Sequence, residues 1–260
     1  MKKKLIGVLI IFSLLILISA TSVYSSKNSV SNSIQTTNFT PNDQQLKTAE
    51  NKVIGSFPNN ANGLHLHRSV QSMLESDSAQ FEIDPSSLTI KSVRFNNVDM
   101  VGKKRNISSQ VAHEKAIQFI KNQFPDFDLT KFVEETAFNS NYILKLNEID
   151  KATGTKLLNS ITVIVNQETG EIAMAMFNLN YPEIPSQVSI NKENAKQMAD
   201  NKINTVFNNG KLEWSSPTLE QRLLNGKAVT GWIFIYKSDK HSAGIMVDSN
   251  SGEVIVQQAY

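Results

Sequence analysis

The side chains able to do chemistry are few and scattered. Four histidines stand at positions 65, 67, 113 and 241, and there is no cysteine. His65-Leu66-His67 sets two imidazoles on one side of an extended chain, the geometry of half a metal site. No third ligand converges on them in the sequence, so the pair reads as solvent-exposed and no metal is assigned. His113, beside Glu114 in a first helical turn, and His241, in the loop 237–242, read as surface residues. Glu134-Glu135 offers two carboxylates, but neighbours on a strand point to opposite faces and cannot share a site. The chain holds no His-Glu-x-x-His, no Gly-x-Ser-x-Gly and no Gly-x-x-x-x-Gly-Lys. The residues therefore describe a protein without catalytic groups or cofactor, and not an enzyme.

What the sequence does describe is a pair of turns. Ile161 to Ile172 and Ala243 to Val254 are each an apolar β-branched run, a polar loop closing on Gly, and a second β run. Asn166 and Asp248 are placed to bond their side chains to the backbone two residues on. Gly170 and Gly252 supply the positive φ that ends such a loop. Before each hairpin lies a helical pattern. Ile107, Ala112, Ala116, Ile120 and Phe124 match Ile190, Ala195, Ala199, Ile203 and Phe207 at a constant offset. Ser108 and Asn191 stand where they can cap those helices. After the helices come strand patterns at 132–138, 142–146, 161–165 and 171–177, then at 212–214, 232–236, 243–247 and 253–257. Helix followed by hairpin-linked strands predicts an α+β fold, two tandem units each with one helix packed on an antiparallel sheet.

The units take residues 105–180 and 186–260, separated by Tyr181-Pro182-Glu183-Ile184-Pro185. Residues 46–104 form an N-terminal α/β subdomain or a divergent third unit. A helix is expected there after Asn62-Gly63, from Leu64, Val70, Met73 and Leu74. A strand pair is expected at 81–83 and 88–95, turning at Asp84-Pro85-Ser86-Ser87. Residues 26–45 are Ser-, Asn-, Thr- and Gln-rich and read as a flexible linker.

The first 25 residues carry three lysines, the 14-residue apolar run Leu5 to Ile18, and then small residues. That is the order of a secretory signal peptide, cleaved between Ala20 and Ser26 or retained as a membrane anchor. The expected place is outside the cytoplasm, secreted or attached at the cell surface, with membrane contact only through this segment. Without those three lysines the formal charge falls from +2 to −1, which leaves no basic surface for nucleic acid. Apolar residues make up 40% of the chain, enough to build one large domain or two small ones.

Ile190-Asn191-Lys192-Glu193-Asn194-Ala195 with Val247-Asp248-Ser249-Asn250-Ser251-Gly252-Glu253-Val254 resembles the PepSY pattern of a Ser-Lys-Glu-Glu-Ala helix start and a closing Val-Asp-x-x-Thr-Gly-Glu-Val hairpin. Ile107-Ser108 with Val165 to Ile172 resembles it too, though Asn166 replaces the usual Asp and the stretch Glu148 to Ser160 is longer than the pattern. Tandem units behind a signal are also similar to the bacterial YpeB-like family. The resemblance implies a non-catalytic cystatin-like module that restrains or protects a secreted or envelope peptidase or hydrolase through protein–protein contact. An alternative is an envelope module that binds or senses peptide or wall fragments.

One strand is expected to matter for such a partner. Trp232-Ile233-Phe234-Ile235-Tyr236 is apolar on both sides, with the aromatics toward the helix and Ile233 and Ile235 away from it. Either that outer face is covered internally, or Ile233 and Ile235 are a candidate partner-binding patch.

Overall fold

The computed structural model describes residues 42–67, 72–138, 141–179, 181–182, 184, 186–206, 213–214, 217–237 and 242–259. Residues 1–41, on which the expected signal segment and most of the expected linker fall, and Val70 and His241 lie outside them. The chain is α+β. Three α-helices are described: α1 (Asp43–Ser56), α2 (Ser109–Gln123) and α3 (Lys192–Val206). It divides into two compact units, one reaching to Phe119 and including 137–143 and 164–174, the other holding 120–136, 144–163 and 175–260.

The first unit opens with α1, which begins at Asp43, inside the stretch read as linker. Asn42 and Gln45 explain it: each side chain bonds the other's backbone N–H, at 2.9 and 3.0 Å, a reciprocal cap that polar composition alone concealed. Ala49 and Val53 form its buried side. Next come β1 (His65–Leu66), β2 (Met73–Glu75), β3 (Ala79–Ile83) and β4 (Ile90–Phe95), each antiparallel to the one before. The helix expected from Leu64 to Leu74 is thus replaced by strands. Met73 and Leu74 fitted a helical spacing, but they alternate in burial as a short strand pairing with β3. Phe57, Phe81, Phe95 and Phe119 meet in one aromatic cluster, with ring centroids 5.4 to 6.5 Å apart.

α2 and α3 bury small residues on the same helical spacing. Ala112, Ala116 and Ile120 are closed from solvent on α2, and Ala195, Ala199 and Ile203 on α3. Ser108 Oγ accepts from the N–H of Val111 at 3.2 Å, and Asn191 Oδ1 from that of Asn194 at 2.8 Å.

Four further strands are β5 (Phe132–Phe138), β6 (Asn141–Asp150), β7 (Thr155–Asn166) and β8 (Ile172–Asn178). The stretch 148–160 comprises the end of β6, a turn and the start of β7. In the second unit follow β9 (Glu213–Trp214), β10 (Thr218–Leu224), β11 (Lys227–Lys237), β12 (Ser242–Asp248) and β13 (Val254–Ala259). β10 to β13 form an antiparallel meander, and β10 also lies parallel to β7 at Glu220↔Lys156, which makes the sheet mixed. The β10–β11 hairpin went unread in the sequence. Asn225 and Gly226 form its two-residue turn, with φ +50° and +77°. Both positive angles are what a tight hairpin of this kind requires.

α3 packs on the meander through Ala195, Ala199, Ile203, Phe234, Tyr236, Ala243, Ile245 and Val247. Two polar groups fix it there. Trp232 Nε1 donates to the Ile190 carbonyl at 2.9 Å and Tyr236 Oη donates to Asp200 Oδ1 at 2.8 Å.

Candidate functional site

Asn166 Oδ1 accepts from the N–H of Glu168 at 2.8 Å, and Asp248 Oδ1 from that of Asn250 at 2.8 Å. Gly170 and Gly252 have φ of +76° and +78° and each donates its N–H back to the carbonyl of that Asn166 or Asp248. The segment before each helix is tied to its loop in the same manner. Asn106 and Ile107 both donate to the Gln167 carbonyl, and Ser189 and Ile190 both donate to the Ser249 carbonyl. Asn166 has an added task that its aspartate counterpart cannot perform: its Nδ2 donates to the Asp99 carbonyl at 2.9 Å.

Among the described residues, His65, His67 and His113 do not assemble into a site. His65 is exposed, its Nδ1 2.8 Å from the Gly63 carbonyl, and His67 Nε2 lies 3.7 Å from Glu75 Oε2. Among the described residues no group of three His, Asp or Glu side chains is arranged to hold a metal. His113, expected at the surface, is half-buried, because its Nδ1 is 2.8 Å from the hydroxyl of the buried Tyr142.

Ile233 is only 6% exposed and Ile235 half-buried. Ile233 is thus closed from solvent and Ile235 only in part, which bears on the choice between an internally covered face and a partner-binding patch. Strand register shows what shares its face. Glu220 is opposite Gly231, and residues two apart on a strand share a face, so Glu220 and Arg222 lie on the Ile233 side. A side chain at Gly231 would collide with Met246 and the Val247 carbonyl, at 2.6 and 2.8 Å.

Charged side chains from several strands gather on this face. Glu220 accepts from Arg222 Nη2 at 2.7 Å and Nε at 3.1 Å, and from Thr218 Oγ1 at 2.8 Å. Lys156, from the parallel neighbour β7, reaches Glu220 Oε1 at 3.7 Å and pairs more closely with Glu135 of β5. Asn147 of β6 donates to the other oxygen of Glu135 at 3.1 Å. Lys145, two residues before Asn147, completes a row over four strands: two carboxylates and three cations. The Lys156 and Glu220 side chains are 18% and 17% exposed, so solvent screens the row only in part. Burial pushes the Glu220 carboxyl up, but Arg222, Thr218 and Lys156 outweigh it and hold it below its ordinary value. Burial pushes Lys145 down, opposed by Glu135 and Glu220 and reinforced by Arg222 and Lys156. Such a row can hold the sheet in register and receive an anion. The sequence alone does not bring the row together, since its members come from four strands 87 positions apart at the extremes. Alternation within β10, where Glu220 and Arg222 share a side, was its one sequence signal.

No family model matches the chain, and no curated protein matches it. Among solved structures it is similar to the Bacillus megaterium YpeB C-terminal domain, at 16% identity and TM-score 0.44, over 84% of this chain and 98% of that one. It is also similar to a Clostridium difficile 630 chain described as a lipoprotein, at 16% identity and TM-score 0.22, over 60% of this chain and 96% of that one.

Proposed function

We propose that the chain is an exported, non-catalytic envelope protein built of two PepSY-like units, which restrains or protects an extracellular peptidase or hydrolase by binding it. The observation that carries this reading is the matched bonding around the two loops. In each, two successive N–H groups ahead of a capped helix converge on one loop carbonyl, Gln167 or Ser249, while Asn166 or Asp248 and a Gly close the turn. These are the residues on which the sequence resembles PepSY, and the inhibitory role follows from that resemblance. Export follows from the Lys2 to Ile18 segment; among the described residues no helix is long and apolar enough to cross a membrane.

The test is capture from envelope and culture-supernatant fractions of the source cells, followed by assay of what is captured. The expected result is a peptidase whose turnover of a peptide substrate, or whose lifetime against self-digestion, changes at least tenfold when the purified protein is added. Recovery of wall fragments or free peptides would instead support a ligand-sensing module. Turnover of a peptide or glycan library by the protein alone would overturn the reading.

A further inference from the structure

Among the described residues, the ionic row on β5, β6, β7 and β10 leaves one ammonium with no carboxylate in direct ion-pair contact. Glu220 is taken by Arg222, Thr218 and Lys156, and Glu135 by Lys156 and Asn147. Both carboxylates are engaged, yet three cations stand among them. Among the described residues the Lys145 side chain has no hydrogen-bond or ion-pair partner, although it is half-buried and close enough to feel Glu135, Glu220, Arg222 and Lys156. A desolvated ammonium is normally paired, because removing it from water costs several kcal/mol unless an opposite charge replaces the lost hydration.

We propose that Lys145, with Arg222 and Lys156 beside it, binds a monoanionic carboxylate supplied from solution, either a small free acid or the carboxyl end of a peptide. The charge count selects the class. With all groups ionised, two carboxylates against three cations leave one positive charge, which a monoanion neutralises. A dianion such as phosphate would leave an excess negative charge facing Glu135 and Glu220. Access is open on one side, since the Arg222 side chain keeps 26% of its surface and Lys145 is not sealed. A bound carboxylate would restore the pairing that burial removes and raise the affinity of Lys145 for its proton. The inference is independent of any peptidase partner.

The experiment follows the Lys145 ε-methylene signal by NMR in the full chain, assigned with Lys145→Arg. Acetate is titrated against chloride at constant ionic strength, then N-acetyl-alanyl-alanine and its carboxamide. The expected result is a saturable shift of that one lysine signal, with its titration midpoint moved upward, and at least tenfold weaker binding by phosphate dianion. Binding of the dipeptide acid but not its amide, more tightly than acetate, assigns a peptide terminus; acetate alone assigns a small free acid. Lys145→Met, followed through the backbone amide signals of β6 and β10, should weaken acetate binding at least tenfold. Equal acetate binding in that variant, a signal that responds to chloride as it does to acetate, or no saturable shift in the unaltered protein overturns the proposal. Should Lys145→Met fail to fold, the acetate, chloride and phosphate titrations of the unaltered protein decide alone.

Discussion

The loops at 166–170 and 248–252 share a backbone and differ in what their first residue must do. Asn166 accepts a loop N–H and also donates to the Asp99 carbonyl; Asp248 only accepts. In the second loop the tie to the preceding segment passes to Ser249, whose Oγ lies 2.6 Å from the Gln187 carbonyl and 2.9 Å from that of Thr230. A loop shape is thus fixed by two requirements, an acceptor at its start and a positive φ at its end, while its attachment can migrate from one side chain to the next. Two other turns obey the rule. Asp150 accepts from Ala152, and Gly154 has φ +71°. Asp84 accepts from Ser86, but the closing residue is Leu88, at φ +55°. There a half-buried leucine occupies a conformation that suits glycine.

The largest expected effect lies under the second loop, in the core that holds its strands. Phe234→Ala removes a fully buried β11 ring from the cluster shared with α3 and β12 and should cost about 3–5 kcal/mol. Leu144→Ala, a buried β6 residue, should cost about 2–5 kcal/mol. Urea unfolding of each variant measures both. A cost below about 1 kcal/mol at either position would mean that its strand does not carry the core assigned to it.

Exchanging the first residues tests the comparison directly. Asn166→Asp keeps the acceptor but replaces the donor to Asp99 with a buried carboxylate facing a carbonyl, so a loss of about 1–3 kcal/mol is expected. Asp248→Asn keeps its acceptor and should change stability by less than about 0.5 kcal/mol. Equal losses from the two exchanges would show that the loops are held alike, and that the Asp99 bond contributes nothing.

This asymmetry marks how far the sequence could be read. The strands of β7–β8 and β12–β13, and both small-residue helix faces, were legible because alternation and helical spacing are local properties. The departure from Asp at position 166 was visible, but its reason was not, since the carbonyl it serves lies 67 residues away. Asn225-Gly226 and the Asn42/Gln45 cap were legible and went unread, masked by polar surroundings. The burial of Ile233 and Lys145 depends on which strands become neighbours, and no local pattern encodes that pairing.

Next in size are the glycines that close the loops. Gly170→Ala and Gly252→Ala should each cost about 1 kcal/mol, because an alanine resists φ near +77°. Gly252 should be the more sensitive. Its new methyl would lie 3.0 Å from the Ile190 Cδ1, where at Gly170 the nearest atom is the flexible Lys115 Cε at 3.1 Å. Thermal melting of the pair ranks them; a larger loss at Gly170 would reverse the packing argument.

The smallest effect concerns the ionic row and appears only in acid. Glu220 is held below its ordinary value, so the unfolded chain takes up its proton first as pH falls. Its contribution to stability is present above the unfolded carboxylate value, about 4.3, and is lost as pH drops through the lower folded value. Asp84, Asp128 and Asp150 are also held low and lose stability over the same range, so the acid limb cannot vanish in any single variant. Glu220→Gln should make that limb shallower by one carboxylate's share, on the order of 1 kcal/mol or less for a partly exposed ion pair. Above pH 6 the variant should be the less stable of the two, because Arg222 and Lys156 then lose a charged acceptor. Lys145 stays outside this window: its lowered folded value makes stability rise as pH climbs from there toward the ordinary lysine range. Urea midpoints from pH 2 to 6 separate these terms. Parallel acid limbs for the variant and the unaltered protein would show that Glu220 is not held below its ordinary value, and that Arg222, Thr218 and Lys156 do not outweigh its burial.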